Sequence, residues 1–409
     1  MKYFLKSLVF FAVCFSAIAQ SGTLVIESWR EDGDIWNNKI IPAFTAQYPN
    51  IKVEYKHTVA TEYNDQLNQR LKGGNAGDII TCRPFDDSLK LYQAGHLEDL
   101  TDVDGMENFP SFAQSAWQTD DGAVTFCLPL ASVIHGFFYN KAIFSELGLQ
   151  EPKTVAEFFV VLEKVQGQGK YLPIAMGTKD KWEAATMGFQ NIGPNYWKGE
   201  DGRFALISGE GKLSSAEYVA VLEQLARWGQ FMGEHQARGY VEAIKIFADG
   251  KAAIYPAGSW DISAFNNKIE LGVFRPPVSN SGDDCFISDH TDIGIGVNVN
   301  SKNKEEAMTF IRWMASEEFA GIFTNALPGF FSLSNHFIDV QDETAKKMIA
   351  WREECDSTIR NSYQILNRGK PSLELEIWET SVGVIGGTMQ PQDAANRLQT
   401  GLEGWYKPE

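Results

Sequence analysis

The sequence is poor in the residue patterns that build metal, nucleotide and acyl-transfer sites. Its six His stand far apart and never beside a Cys pair, so a zinc site is not expected. It contains no G-x-x-x-x-G-K-[ST] loop and no G-x-S-x-G turn, the common phosphate-binding and nucleophile motifs. Basic residues are also few, since 36 Lys and Arg stand against 53 Asp and Glu, a net charge of −17. We therefore expect no metal, no cofactor and no nucleic-acid partner.

Long apolar runs are missing as well, with a short one only at the start of the chain. No stretch reaches the roughly 18 apolar residues of a membrane-spanning helix. Two lysines precede the apolar run Leu8–Ile18, and Ala17–Ala19 fits the A-x-A pattern of a cleavage site. The pattern predicts a signal peptide over residues 1–19, cut near Ala19, and export of the mature protein to the periplasm.

Cysteine is scarce, but its number after the predicted signal peptide is even. The four remaining residues are Cys82, Cys127, Cys285 and Cys355. In an oxidising compartment they allow three different pairings, and the sequence does not choose among them. Four buried free thiols stay open as the alternative.

Aromatic residues, by contrast, are abundant: they make up 12% of the chain and include 11 Trp. Several Trp stand beside polar residues in predicted loops, namely Trp29, Trp182, Trp197 and Trp260. A sugar ring has an apolar C–H face and a rim of hydroxyls, which suit aromatic rings and polar groups respectively. Covering roughly 100 Å² of that face at about 25 cal/mol per Å² contributes about 2.5 kcal/mol. The loops thus favour sugar binding, while half-buried packing stays the alternative for any single Trp.

Short strands and helices alternate at the start of the mature chain. Buried or period-two apolar residues predict strands at Leu24–Ile26, Ile51–Tyr55 and Asp78–Ile80, with helices between them. This β-α-β-α-β order predicts a mostly parallel sheet with helices on both faces. Further strands are expected at Ala252–Tyr255 and Ile293–Val299. Because no flexible tether separates these segments, we predict two α/β lobes connected more than once.

Residues 247–260 make the sequence recognisable. Their sequence, FADGKAAIYPAGSW, closely resembles the F-x-x-G-K-A-A-M-x-x-x-G-x-W segment of extracellular solute-binding proteins of sugar ABC importers, the maltose-binding-protein-like family. Other segments resemble that family in the expected order: Gly77–Ile80 with Ala94–Leu97, Phe138–Lys141 and Asn300–Ala307. The resemblance covers essentially all of residues 20–409.

The resemblance implies a two-lobed periplasmic-binding-protein fold, each lobe a mostly parallel sheet flanked by helices. The implied lobes are 20–131 with 291–335 for the N-terminal lobe, and 132–290 with 336–409 for the C-terminal lobe. The implied hinge crossings are 131–136, 285–293 and the region of 331–340. The resemblance further implies a monomer that captures a sugar, an oligosaccharide or glycoside, between closing lobes and delivers it to a membrane permease.

The resemblance also places candidate sugar contacts in loops of both lobes. Trp260, just past the glycine turn, corresponds to the family's sugar-stacking aromatic residue, and Trp29 and Arg30 correspond to a ligand loop of the N-terminal lobe. After the third strand the family often has a Trp, where this chain has Cys-Arg-Pro-Phe instead. The full set of candidate contacts is Trp29, Arg30, Arg83, Phe85, Asp86, His135, Trp182, Glu183, Trp260, Asp261, Asp289, His290 and Asp292.

Two other functions stay open at this point. A secreted glycoside hydrolase would share a Trp-lined cleft, and it needs two carboxyl groups about 5–10 Å apart, one with a raised pKa. A binding protein for a peptide or polyamine would suit the many carboxylates. Trp beside mixed polar groups favours a sugar, so we expect a binding protein without catalytic residues.

Overall fold

A computed structural model describes residues 22–408, so the predicted signal peptide of residues 1–19 lies outside the described residues. The described part contains ten strands: β1 Thr23–Ser28, β2 Lys52–His57, β3 Ile79–Cys82, β4 Leu128–Asn140, β5 Leu172–Ile174, β6 Ala252–Gly258, β7 Leu271–Phe274, β8 Phe286–Val297, β9 Phe331–Ser332 and β10 Asp356–Thr358. None of the helices in residues 22–408 has the length and apolar character needed to cross a bilayer.

Helices fill most connections between the strands. Those of eight or more residues are Tyr63–Lys72, Asp86–Gln93, Val155–Gln168, Glu200–Ser208, Ala216–Trp228, Tyr240–Ala248, Lys304–Met314, Glu317–Ala326, Glu343–Glu354, Leu373–Ile385 and Pro391–Glu403. Shorter helical segments are Gly33–Ile35, Trp36–Ile40, Ile41–Gln47, Met106–Asn108, Ser111–Gln114, Ser115–Trp117, Lys141–Glu146, Ala184–Phe189, Gln190–Ile192, Pro194–Trp197, Gly229–Phe231, Ser259–Asp261, Ile262–Phe265 and Gln364–Asn367.

Local sequence signals fix the ends of the helix Val155–Gln168. The Thr154 hydroxyl accepts a hydrogen bond from the backbone N–H of Glu157 at 3.3 Å, and the Glu157 carboxylate accepts one from the N–H of Thr154 at 3.2 Å. This reciprocal pair satisfies two N–H groups that a helix start leaves free. Gly169 then ends the helix in the left-handed conformation, which glycine adopts without steric cost.

Parallel and antiparallel strand pairs occupy different parts of the sheet, whose order is β2-β1-β3-β8-β4-β6-β5. The pairs β1/β2, β1/β3, β5/β6 and β8/β10 are parallel. Every antiparallel pair in residues 22–408 includes β4 or β8. The antiparallel pairs therefore come from the two long strands that run from one lobe into the other.

Strand β4 joins the two halves of the sheet. It is 13 residues long and buried at every position. Residues Leu128–Ile134 pair with β8, and residues His135–Tyr139 pair with β6. The register against β8 shifts between Pro129 and Ser132, as it does at a β-bulge. The strand is thus irregular just before the point where it leaves β8 for β6.

Two separate hydrophobic cores lie on either side of this point. One core is formed by buried residues from the ranges Leu24–Val133 and Ile293–Leu333. The other is formed by buried residues from the range Ile134–Ile287 and from the C-terminal helices. The chain passes between the cores at Val133–Ile134, between Ile287 and Ile293, and over residues 330–340. We call the two halves the N-terminal and the C-terminal lobe.

The predicted two-lobed α/β fold with several hinge crossings is confirmed. The lobe boundaries at 131/132, 290/291 and 335/336 stay a prediction, which the membership of the two cores supports.

The structure also pairs the four cysteines that the sequence left open. Cys82 at the end of β3 is bonded to Cys127, with their Cα atoms 6.8 Å apart. Cys285 is bonded to Cys355, with their Cα atoms 4.8 Å apart. The second bond joins the residues that immediately precede β8 and β10, so it fixes the chain that enters β10. The alternative of four free thiols is wrong for this structure.

Candidate functional site between the two lobes

Trp260 lies where the two lobes meet, because its partly buried ring packs against both hydrophobic cores. A Cβ on Gly258 would lie 1.8 Å from this ring, so only glycine allows the indole to fold back over the end of β6. Ser259 fixes the turn: its hydroxyl accepts from the backbone N–H of Ile134 at 3.0 Å and donates to the carbonyl of Gly329. The turn is therefore attached to two of the three hinge crossings.

Three predicted contact residues of the C-terminal lobe converge on the side chain of Tyr240. The ring of Tyr240 packs against Trp182, with centroids 4.9 Å apart. Its hydroxyl accepts from the indole Nε1–H of Trp260 at 3.1 Å and donates to Oδ1 of Asp261. Trp182, Trp260 and Asp261 thus form one connected group, although Tyr240 was not among the predicted contacts.

The carboxyl groups of Asp261 and Glu183 both have raised pKa values. Burial raises the pKa of Asp261 to about 7, and donors such as Tyr240 and Tyr255 offset only part of that effect. Burial, together with the charge of Asp180, raises the pKa of Glu183 to about 8. Glu183 is 0% exposed and Asp261 is 3% exposed. Neither carboxyl group reaches solvent in this arrangement.

A pair of neutral imidazoles lies next to Trp260. The ring of His135 meets Trp260 at 5.3 Å and His290 at 4.9 Å, both edge to face. Burial lowers the pKa of both His well below its ordinary value, and the charge of Arg360 adds to this. At neutral pH both rings are therefore uncharged.

Hydrogen bonds fix the tautomer of each imidazole. His135 Nδ1 lies 3.0 Å from the carbonyl of Thr186, which only accepts, so Nδ1 carries the proton. His290 Nε2 accepts from the guanidinium of Arg360 at 2.9 Å, so its proton is on Nδ1. Within residues 22–408, His135 Nε2 and His290 Nδ1 have no partner although both are buried. The pair offers one acceptor and one donor, the two capacities that a hydroxyl group matches.

The N-terminal lobe contributes Arg30 and the crossing strand β8 contributes Asp292. Arg30 donates to Asp32 at 3.1 Å, and its guanidinium lies 4.2 Å from the centre of the Phe330 ring. Burial lowers the pKa of Arg30, but the carboxylates of Asp32 and Asp292 outweigh burial and raise it overall. The charge of Arg30 also lowers the pKa of Asp261 in the other lobe. A cation of one lobe therefore faces an acid of the other.

Trp29 does not offer a free stacking face. It is only 7% exposed and belongs to the core of the N-terminal lobe. The guanidinium of Arg83 covers its ring at 4.3 Å, and the edge of Tyr63 meets it at 5.3 Å. Arg83 in turn donates to Asn64 at 3.2 Å. In this arrangement Trp29 and Arg83 support the wall of the N-terminal lobe.

Phe85 and Asp86 lie at the rim of the cleft. The ring of Phe85 meets Tyr363, which packs against the core of the N-terminal lobe, at 5.0 Å, and Asp86 is paired with Arg368 at 2.9 Å. Residues of both lobes surround a cavity of about 490 Å³ at this rim. Burial raises the pKa of Asp86, although the nearby charge of Arg368 lowers it in part.

Asp289 is not brought into the group around Trp260. Its carboxylate accepts from Arg352 at 2.6 and 2.9 Å and from the hydroxyl of Ser357 at 3.1 Å. Adjacent residues of a strand point to opposite faces, so Asp289 faces away from the side on which His290 meets His135. Its partners show a role in fixing the segment after Cys355.

Four residues in or beside the cleft were not among the predicted contacts: Tyr240, Arg360, Tyr363 and Arg368. The last three belong to the irregular chain between β10 and the helix Leu373–Ile385. This chain has no period that marks an element, and the bond between Cys285 and Cys355 together with the pairing of β10 with β8 places it beside β8. Gly239 indicates the start of the helix that begins at Tyr240, but it does not predict where the Tyr240 hydroxyl lies.

The chemistry of the site is that of recognition by rings and hydrogen bonds. Among residues 22–408, no group of three or more His, Cys, Asp or Glu is arranged to hold a metal ion. Indole, phenol, imidazole and guanidinium groups lie together, and they match a ligand with apolar faces and many hydroxyls.

Comparison with known proteins places this geometry in a family. The sequence pattern of bacterial extracellular solute-binding proteins matches residues 27–320. The chain is 24% identical over 300 residues to the multiple sugar-binding protein of Streptococcus mutans, covering 70% of this chain and 69% of that protein. It is 25% identical over 321 residues to the galactooligosaccharide-binding protein of Bacillus subtilis, covering 75% and 72% respectively.

Solved structures share the fold over nearly the whole chain. AcbH, described as a bacterial solute receptor with an exclusive preference for β-D-galactopyranose, superposes with a TM-score of 0.81 at 17% identity, covering 95% of this chain and 100% of its own. RafE in complex with raffinose superposes with a TM-score of 0.76 at 20% identity, covering 94% and 99%.

Proposed function

The chain belongs to the family of bacterial extracellular solute-binding proteins, and on that premise we propose that it captures a sugar between two closing lobes for an ABC importer. The sugar is an oligosaccharide or glycoside, and the chain delivers it as a monomer in the periplasm to the membrane permease. The names of its relatives, which bind multiple sugars and galactooligosaccharides, support a sugar as the solute.

The observation that carries the proposal is the position of Trp260. Its ring packs against both cores, and the neutral pair His135 and His290 lies beside it with one acceptor and one donor unpaired. A sugar can stack its C–H face on the indole, and a hydroxyl can bond to an imidazole once separation of the lobes exposes these fully buried imidazole rings.

The magnitudes are sufficient for useful affinity. One stacked face contributes about 2.5 kcal/mol, and each hydrogen bond to a charged group contributes roughly 1.5–3 kcal/mol. A micromolar Kd requires about 8 kcal/mol net, so two stacks with a few such bonds reach it when the cost of association is near its lower bound of about 4 kcal/mol.

Capture works through a shift between open and closed arrangements. A sugar that contacts both lobes favours the closed one by the difference in its affinity for the two. The cation Arg30 in one lobe and the aromatic group around Tyr240 in the other supply contacts that exist together only when the lobes are closed. The permease then selects the closed form.

The experiment is a thermal-shift and calorimetric screen of the mature chain. The panel is D-galactose, melibiose, raffinose, stachyose, xylotriose and chitotriose. At 100 times Kd a bound sugar adds about 2.7 kcal/mol to the free energy of unfolding, which raises the thermal midpoint measurably. If no sugar in a widened panel raises the midpoint or exchanges heat, while a peptide or polyamine does, the proposed solute is wrong.

We further propose that the chain performs no hydrolysis. Relatives named as sugar-binding proteins support this, although Glu183 and Asp261 have raised pKa values, as a glycosidase acid would. Incubating the chain with the same oligosaccharides should release no reducing ends. Release that depends on Glu183 would identify a hydrolase instead.

A further inference from the structure

The Tyr240 hydroxyl occupies a central position in the C-terminal wall of the cleft. It accepts the indole N–H of Trp260 at 3.1 Å and donates to Asp261. A phenol hydroxyl has one proton to donate, and here that proton is committed to the carboxylate. The indole N–H also lies near Asp261, whose pKa it helps to lower, so the Tyr240 oxygen and this carboxylate together set its direction.

The remainder of the Tyr240 residue is also held in place. Its ring packs against Trp182 at 4.9 Å, and its backbone N–H donates to the carboxylate of Asp180 at 2.8 Å. Two indoles, a phenol and two carboxylates are therefore joined in one network. Trp260 is the member of that network that touches both cores.

We propose that Tyr240 is a positioning residue for ligand binding, which fixes the plane of the Trp260 ring through the hydrogen bond to its Nε1. The inference deepens the proposed function and rests on it. An indole on a short turn after Gly258 keeps freedom about its side-chain torsions unless a partner removes it. Fixing the ring before the sugar arrives lowers the entropy cost of binding.

The neighbouring phenol of Tyr255 provides the matched control. Its hydroxyl donates to the other oxygen of Asp261 at 3.2 Å, but no contact joins it to Trp260 among the described residues. Tyr255 is fully buried in the core of the C-terminal lobe, where its ring stacks on Phe247. Tyr240→Phe and Tyr255→Phe therefore each remove one hydrogen bond to Asp261, and only the first also removes the oxygen that accepts from the indole N–H.

The test is calorimetric titration of the mature chain and both variants with raffinose, D-galactose and chitotriose. Tyr240→Phe should raise Kd about tenfold, whereas Tyr255→Phe should change it less than about threefold. Thermal midpoints measured without sugar show whether either variant loses stability. Equal Kd values for the two variants, with both folded, would overturn the inference.

A double-mutant cycle separates positioning from a structural role. Trp260→Phe keeps an aromatic face but has no N–H for Tyr240 to accept. If Tyr240 acts through Trp260, adding Tyr240→Phe to this variant should change Kd less than about twofold. A full tenfold loss in that background would show that Tyr240 acts by another route.

The outcomes for the inference and for the proposed function are distinct. If the unaltered chain binds none of the three sugars, the wider panel decides the proposed function and the cycle is run with the sugar identified there. If the unaltered chain binds but Tyr240→Phe binds equally well, the inference alone is wrong.

Discussion

Arg368 of the C-terminal lobe forms a salt bridge with Asp86 of the N-terminal lobe. Its Nε donates to both carboxylate oxygens of Asp86, at 2.9 and 3.1 Å, while its terminal nitrogens donate to Asp120 at 2.7 and 2.9 Å. One guanidinium thus joins two carboxylates of the opposite lobe at the rim of the cleft. Because these contacts join the two lobes, separation of the lobes would break them, and we expect them to stabilise a closed arrangement.

Arg368→Gln is expected to weaken sugar binding without unfolding either lobe. The side chain of Arg368 is about one third exposed, so each pair contributes at most about 1 kcal/mol. Kd should rise about three- to tenfold, and the effect should shrink at high salt because the pairs are screened. Titration calorimetry at two ionic strengths measures both.

Arg397→Gln is the control for that prediction. Arg397 pairs with Glu376 at 2.7 Å within the C-terminal lobe, so its loss should leave Kd unchanged. An equal loss of affinity in both variants would contradict a role in closure.

Trp260→Ala should weaken sugar binding by about 2–4 kcal/mol, because the ring supplies the stacking face at the centre of the cleft. The ring also packs against both cores, so the thermal midpoint without sugar should fall moderately. Calorimetry and thermal unfolding of the same samples give the two numbers.

Trp313→Phe serves for comparison with the Trp260 variant. Trp313 is buried in the core of the N-terminal lobe against Phe319. The Trp313→Phe variant should have a lower free energy of unfolding and an unchanged Kd for the sugar. An unchanged Kd for the Trp260→Ala variant would show that this ring does not contact the ligand.

Glu183→Gln is expected to gain stability relative to the unaltered chain as the pH rises. Burial raises the pKa of Glu183 to about 8 in the folded state, whereas the unfolded chain releases this proton near the ordinary value of 4.5. Between those values the folded state holds more protons, so the contribution of Glu183 to the free energy of unfolding falls with pH. The slope is at most about 1.4 kcal/mol per pH unit.

The measurement is the difference in free energy of unfolding between Glu183→Gln and the unaltered chain from pH 5 to pH 8. That difference should grow with pH, while the surface variant Glu223→Gln should show a flat difference. A flat profile for Glu183→Gln would mean that the carboxyl group is ionised in the folded protein.

Mass mapping of the unreduced chain should recover the pairs Cys82–Cys127 and Cys285–Cys355. Replacing both members of the second pair by Ser should cost about 2–5 kcal/mol of stability. It should also weaken sugar binding, since Cys355 directs the chain that carries Arg360 and Tyr363. Crossed pairs or alkylated thiols in the native protein would contradict this pairing.

The sequence predicts the fold and part of the candidate site. Alternating strand and helix periods predict the parallel part of each lobe, and the resemblance of residues 247–260 to the sugar importers' family implies a stacking ring at Trp260. Both rest on residues close together in the chain.

The remainder of the site depends on contacts between distant residues. Trp29 has the same sequence character as Trp260, yet Arg83 and Tyr63 cover it in the folded protein. Arg360 and Tyr363 follow a segment that a disulfide and the pairing of β10 hold against β8. Neither fact is encoded in a period or a motif, so Arg360 and Tyr363 were not among the candidates, and the sugar contact at Trp29 stays a prediction.

The register shift in β4 lies next to the point where this strand passes from one lobe to the other. We expect rotation of the lobes to be absorbed at this irregular stretch between Pro129 and Ser132. Trp260 is on a turn bonded to Ile134, two residues from that stretch, so its ring should move little when the lobes separate. The ion pair between Arg368 and Asp86 joins the two lobes directly, so the same rotation should break it.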